Sequence, residues 1–174
     1  ETRYLIYMLL GLGLGFLNST KPVEYSDLGY YYWLYNWAGT KNFIEYFHLI
    51  PKEPLYFIYN YLMRFITLGN FGLFMIVSTV LMYFPVMIAC DRIFRESGIP
   101  VKYALICAVV FACFSEYFFY TAQIVRQVLA GSLAFYFIVR MTYSKDLISY
   151  IGLACVGLIH ASAFIFCVYY VLVL

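Results

Sequence analysis

The feature that most constrains this chain is a 28-residue stretch, 147–174, that contains no Lys, Arg, Asp or Glu and is interrupted only by His160. A second uncharged stretch covers 65–90, with Pro85 as its expected kink. Apolar runs of about 17–25 residues cross a bilayer as helices, because every backbone amide is then bonded inside its own segment. Three further runs, 4–17, 101–115 and 127–139, fall short of that length and read as short or broken membrane helices. Composition agrees: 65% of the 174 residues are hydrophobic, 11% are charged, and the mean hydropathy is +0.83. Soluble domains are about 25% charged, so a disordered chain and a soluble α/β enzyme are both excluded. A net charge of +2 leaves no basic stripe for a polyanion, which excludes nucleic acid as a partner. The fold class that follows is all-α: a polytopic helical membrane protein of about five segments.

Basic residues set the expected orientation, since Lys and Arg concentrate in short cytoplasmic loops. Arg3, the 91–102 loop (Arg92, Arg95, Lys102) and the 140–146 loop (Arg140, Lys145) all go inside. The segment 18–64 then lies outside as a long, partly helical loop, and so does the turn at 116–126. Residues 1–174 form one membrane domain. Position 1 is not Met and the final apolar run is still open at Val171-Leu172-Val173-Leu174, so the chain reads as an N-terminal fragment of a longer protein. The first run has no clear small-residue cleavage site and is therefore not read as a signal peptide. Gly11-x-Gly13-x-Gly15 contains a small-xxx-small pair, a helix-packing device. Asn18-Ser19-Thr20 fits a glycosylation triplet, relevant only to a eukaryotic secretory setting. Cys90, Cys107, Cys113, Cys155 and Cys167 lie in or beside apolar runs without C-x-x-C or metal spacing, and read as small hydrophobes.

Ionisable side chains at membrane depth are costly and mark candidate sites. Measured along helices from the inner ends, Glu116, Arg126 and His160 lie about 22, 21 and 20 Å in. All three reach one level in the outer third of a hydrocarbon core about 30 Å thick. A wet cavity open to the outside, lined by short or broken helices, accounts for that coincidence. A 28-residue helix would be about 42 Å long, so a break near Gly157-Leu158-Ile159-His160 is expected. Gln123, Arg126 and Gln127 share one face at helical spacing, and a planar guanidinium flanked by amides suits phosphate oxygens. The plainer reading of Arg126 is a side chain reaching the outer headgroups. His160 is suited to accept a proton or to donate to a leaving anion, or else simply packs against a neighbouring helix. Glu116 reads as a charge partner of Arg126 rather than a catalyst. In the outer segment, Tyr25, Tyr30, Tyr31, Trp33 and their aromatic neighbours suit a membrane interface or the faces of sugars. Asp27 and Glu53 are its best chemical candidates, and Pro51-Lys52-Glu53-Pro54 reads as a helix start capped by Glu53.

With those residues in view, the chain resembles the EpsG family of bacterial exopolysaccharide proteins, relatives of the Wzy polysaccharide polymerases. The resemblance rests on order: Asp27 before Tyr30-Tyr31-Tyr32, then Glu53-Pro54, then Arg126-Gln127-x-x-Ala130, then His160-Ala161-Ser162-Ala163. It implies a glycosyltransferase-like polymerase, without cofactor or metal, that joins oligosaccharide repeat units carried on undecaprenyl pyrophosphate. It also implies the bacterial cytoplasmic membrane, with the active site facing outside, and other polysaccharide-assembly membrane proteins as partners. Under that resemblance Arg126, Gln123 and Gln127 bind the pyrophosphate. The catalytic base is His160 by preference, with Asp27 and Glu53 as competitors. Two rivals stand beside it: a non-catalytic lipid-linked-sugar transporter or accessory subunit using the same cavity only to bind, and an O-antigen-ligase-like transferase acting on a different acceptor.

Overall fold

A computed structural model of the chain describes residues 2–24, 27–48, 52–166 and 168. Tyr25, Pro51, Cys167 and the end of the last run, 169–174, lie outside the described residues. Those described form α-helices and one short 3-10 turn, with no strand among them. The chain is a helical membrane protein.

The central element is α5 (Phe71–Glu96), opened by Asn70, whose side chain accepts the Leu73 N–H at 3.1 Å. Pro85 is buried inside it and the helix continues past, so the expected kink does not end the span. Among the described residues α5 is the helix long and apolar enough to cross a membrane by itself. A bent pair, α6 (Val101–Ala112) and α7 (Ser115–Gln123), makes a second span if its 57° break is counted within one.

Antiparallel to α5 runs α1 (Thr2–Ser19). A Cβ at Gly15 would stand 2.8 Å from the Ile76 carbonyl oxygen and one at Gly11 3.4 Å from Val80 Cα, while Gly13 faces open space. Gly11 and Gly15 therefore let two backbones approach, as the small-xxx-small spacing predicted. Asn18, fully buried, donates to the Thr79 and Thr121 hydroxyls at 2.9 and 2.7 Å. The Asn18 triplet is thus a helix tie and no surface acceptor.

Parallel to α5 runs α8 (Val125–Ser144), with Met82 packed among Val128 and Leu129, and Arg92 Nη2 donating to Ser144 Oγ at 2.7 Å near the far end. It takes in both Arg126 and Arg140, so the run seen at 127–139 is longer than its uncharged part. The 91–102 loop is likewise mostly helix: α5 carries Asp91, Arg92 and Arg95, and Asp91 is buried against Arg3 at 3.1 Å. On α8 packs α9 (Leu147–Val156), which ends where the break was expected.

The segment 18–64 is mostly helix as well: α2 (Leu28–Ala38), α3 (Phe43–His48) and α4 (Pro54–Ile66). These fold onto the first half of α5 and the start of α8. Tyr35 packs tilted against Phe74 with ring centroids 5.0 Å apart, Tyr59 shares a 2.7 Å hydrogen bond with Ser78, and Tyr56 and Phe57 pack among Val125 and Leu129. Outward-facing Leu5, Phe16, Ile106, Val110, Ile148 and Ile151 present an apolar surface. The four described cysteines, Cys90, Cys107, Cys113 and Cys155, are free.

Candidate functional site

A helix start leaves its first N–H groups without partners inside the helix. In α4 the Pro54 nitrogen has no hydrogen to place, and the Leu55 N–H finds the Leu158 carbonyl at 3.1 Å. Leu158 lies just past the end of α9, where the break in the last apolar run leaves carbonyls unused. This bond brings Glu53 and His160 to the same place.

His160 is extended (φ −153°, ψ 131°) and caps the 3-10 turn Ala161–Ala163. Its Nδ1 accepts the Ser162 N–H at 3.2 Å and lies 2.7 Å from Ser162 Oγ. Accepting a backbone N–H leaves Nδ1 without a proton, so the neutral ring carries its hydrogen on Nε2. That nitrogen is 3.5 Å from Glu53 Oε1.

The other carboxylate oxygen of Glu53 takes Arg126. Ile124 (φ −125°, ψ 54°) separates α7 from α8 and sets Arg126 in the first turn of α8. Arg126 Nη1 donates to Glu53 Oε2. Glu53 is 7% exposed and does not cap α4, so its charge is committed to Arg126 and not to the helix end. Around the guanidinium stand the rings of Tyr30, Tyr31 and Tyr56, with centroids 5.6, 5.7 and 5.7 Å from its central carbon. Cation–ring contacts of this kind hold an arginine in place while leaving its edge free.

Two donors at this site have no hydrogen-bond partner among the described residues: Arg126 Nε and the Tyr56 hydroxyl, both buried. Burial holds the Tyr56 phenol well above its ordinary range, so it stays a neutral O–H donor. Neighbouring Tyr46 is pushed by burial up to about 12, the Asn60 amide at 2.6 Å working the other way. Buried donors without partners are rare in folded proteins. Both are suited to donate to an acceptor-rich ligand.

The sequence-predicted residues divide as follows. Glu53, Arg126 and His160 come together. Gln123 closes α7 on the far side of the Ile124 break and does not share a helix face with Arg126, correcting the single-face expectation. Gln127 is exposed and lines a cavity of about 290 Å³ with Ser162, the residue bonded to His160. Glu116 is exposed on α7 beside Phe119 and Tyr120, and the carboxylate that pairs with Arg126 is Glu53. Asp27 precedes α2 with its side chain exposed and making no cap bond. Its carbonyl accepts the Tyr30 and Tyr31 N–H groups at 3.0 and 3.3 Å, which sets it one turn before the two rings on Arg126. Among the described residues no group of three or more His, Cys, Asp or Glu is placed to hold a metal ion. Sequence reasoning missed the tyrosine ring around Arg126. The available signal was Tyr56 three residues after Glu53, which one helical turn carries back over the Glu53 side chain.

Comparison with known proteins finds the EpsG family model matching residues 3–174. No curated protein and no solved structure matches the chain.

Proposed function

Because the chain belongs to the EpsG family, exopolysaccharide-related and polymerase-like membrane proteins, we propose that it lengthens a polysaccharide from lipid-linked oligosaccharide units at the outer face of the bacterial cytoplasmic membrane. The observation that carries this reading is the state of Arg126: one nitrogen held by Glu53, three tyrosine rings around it, and on its remaining edge a buried Nε with no hydrogen-bond partner among the described residues.

That edge suits the oxygens of undecaprenyl pyrophosphate, with the Tyr56 hydroxyl as a further donor. Glycosyl transfer forms a bond from the acceptor hydroxyl oxygen to the anomeric carbon and breaks the bond from that carbon to the diphosphate. Negative charge grows on the departing diphosphate, and a guanidinium already fixed by Glu53 stabilises it without the reorganisation that water needs. Glu53 positions the guanidinium and, through His160 Nε2, the turn at 157–163.

The acceptor's proton needs a base. Glu53 is tied to Arg126 through Oε2, with Oε1 3.5 Å from His160 Nε2, and His160 Nδ1 is occupied by Ser162. Asp27 is the candidate whose carboxylate has no partner among the described residues. We therefore assign the base to Asp27 over His160, which the sequence favoured, and give His160 a positioning role. Gln127 flanks the site on the Ser162 side. The 18–64 segment, by this reading, faces outward over the membrane together with the site.

The test is polymer chain length in cells carrying Arg126→Ala, Glu53→Gln, Asp27→Asn or His160→Ala. A polymerase loses long chains in the first three while lipid-linked units accumulate. Full-length polymer from all four variants would overturn the reading. The transporter reading predicts that Asp27→Asn leaves chain length intact.

A further inference from the structure

At the end of the bundle away from Glu53 and Arg126, α5, α8 and α1 enclose a second polar cavity of about 180 Å³. Arg126 and Arg140 lie near opposite ends of α8, about 21 Å apart along the helix, so the two places are separate. Three arginines line this cavity: Arg92 and Arg95 from the end of α5, and Arg140 from α8. Tyr136 and Ser144 add hydroxyls, while Tyr4, also in the lining, directs its own to Asp91 Oδ2 at 3.5 Å. None of its described lining residues is a carboxylate.

The acids nearby are accounted for. Asp91 is buried and turned to Arg3 at 3.1 Å and Tyr7 at 3.2 Å. Asp146 holds Arg140 Nε at 2.9 Å, outside the lining. Glu96 stands 3.8 Å from Arg92 Nε, too far for a hydrogen bond, and that buried Nε has no partner. Arg95 is exposed and has no ion pair among the described residues. Three guanidiniums thus face two adjacent acids, and the surplus positive charge points into a concave space. The ends of α5 and α8 attract cations by their dipoles, but that attraction alone lets long side chains spread into water. Arg92 instead donates to Ser144 across the gap between α5 and α8, at 2.7 Å.

We propose that this cavity binds a phosphate group, as a monoester or diester, at the membrane surface opposite the candidate site. Guanidinium forks and hydroxyl donors without an acid in the lining match tetrahedral oxyanions. The volume admits the phosphate and a short ester stub and is too small for an oligosaccharide. Two sources carry that chemistry: the headgroup of an anionic phospholipid, which a basic helix end at a bilayer surface meets, and a soluble phosphate compound. The inference rests on these residues alone and stands whether or not the polymerase reading does.

The test uses the full chain purified in neutral detergent. Native mass spectrometry with phosphatidylglycerol against phosphatidylcholine reads the lipid arm. Thermal melting in inorganic phosphate against chloride at equal ionic strength reads the soluble arm. Retention of phosphatidylglycerol with no phosphate effect assigns the lipid. A phosphate-dependent rise in Tm, with phosphate displacing phosphatidylglycerol, assigns the soluble compound. Arg95→Gln, exposed and unpaired and so expected to fold normally, weakens the bound species about tenfold, the size of one lost charge-assisted hydrogen bond. Arg92→Gln combined with Arg95→Gln abolishes binding. Equal binding of both lipids with no phosphate effect would overturn the proposal, as would unchanged binding in Arg95→Gln.

Discussion

The Leu55 N–H donates to the Leu158 carbonyl at 3.1 Å, joining the start of α4 to the end of a helix more than a hundred residues away. One bond thereby serves two helix ends that would otherwise leave backbone groups unsatisfied. It also sets the distance between Glu53, two residues before Leu55, and His160, two residues after Leu158. The site geometry is a by-product of the break in the last apolar run meeting the start of α4.

Glu53→Gln is expected to lower both activity and stability. Removing one partner of a buried ion pair costs about 3–5 kcal/mol, and the 24% exposure of the Arg126 side chain puts this pair at the low end. Arg126→Lys keeps the charge but loses the planar fork, so it should fold and extend polymer roughly 10²-fold more slowly. Melting temperature and chain length measured on both variants separate the two effects. Equal stability of Glu53→Gln and the parent chain would show that the pair is not held in the protein.

At the α1–α5 contact, two glycines four residues apart should behave unlike the one between them. Gly15→Ala drives a methyl against the Ile76 backbone, which cannot swing aside, and should cost roughly 1–3 kcal/mol. Gly13→Ala meets nothing and gains helix propensity, up to about 1 kcal/mol. Comparing the two melting temperatures checks the packing. A Gly15→Ala chain as stable as the parent would refute it.

Much of this fold was legible because its signals are local. The uncharged run marks α5, the glycine spacing marks the α1 contact, and the excess length of the last run around His160 marks the break at 157–160. The pairing at the site was not legible. Glu53 and Arg126 are 73 residues apart, and no periodicity links residues on different helices. Glu116 was the nearer candidate in sequence and in depth, yet α7 turns that side chain outward beside Phe119 and Tyr120. The bend that takes Gln123 off the Arg126 face falls in Gln123-Ile124-Val125, which has neither Gly nor Pro to announce it. The segment 18–64 is helical because its aromatics bury against α5 and α8, a tertiary effect that run length cannot report.

Acid should loosen the α8–α9 turn. Asp146 caps α9 by accepting the Ser149 N–H at 2.9 Å, and its bond to Arg140 holds its carboxyl below the ordinary carboxylate range. A group whose value is lower folded than unfolded contributes stability above its unfolded value of about 3.9 and loses it as pH falls through the folded value. Asp146→Asn keeps a capping side chain but removes the charge, so its stability should depend less on pH in that acid window. Melting curves across the window check this. Parallel pH profiles for variant and parent would contradict it.

The assignment of the base separates Asp27 from His160 by what each variant retains. Asp27 has an exposed carboxylate without a cap bond, so Asp27→Asn should keep fold and substrate binding while extension slows about 10²–10⁴-fold, the usual worth of a positioned base. His160→Gln keeps an amide able to bond Ser162 or Glu53 and should lose far less. Its deficit should grow when Ser162→Ala removes the 2.7 Å hydroxyl contact that steadies the ring. Polymer extension and retained lipid-linked substrate, measured in parallel, distinguish turnover from binding. If His160→Gln stops extension while Asp27→Asn proceeds at the parent rate, the proton goes to the imidazole and the Ser162 contact must open during the reaction.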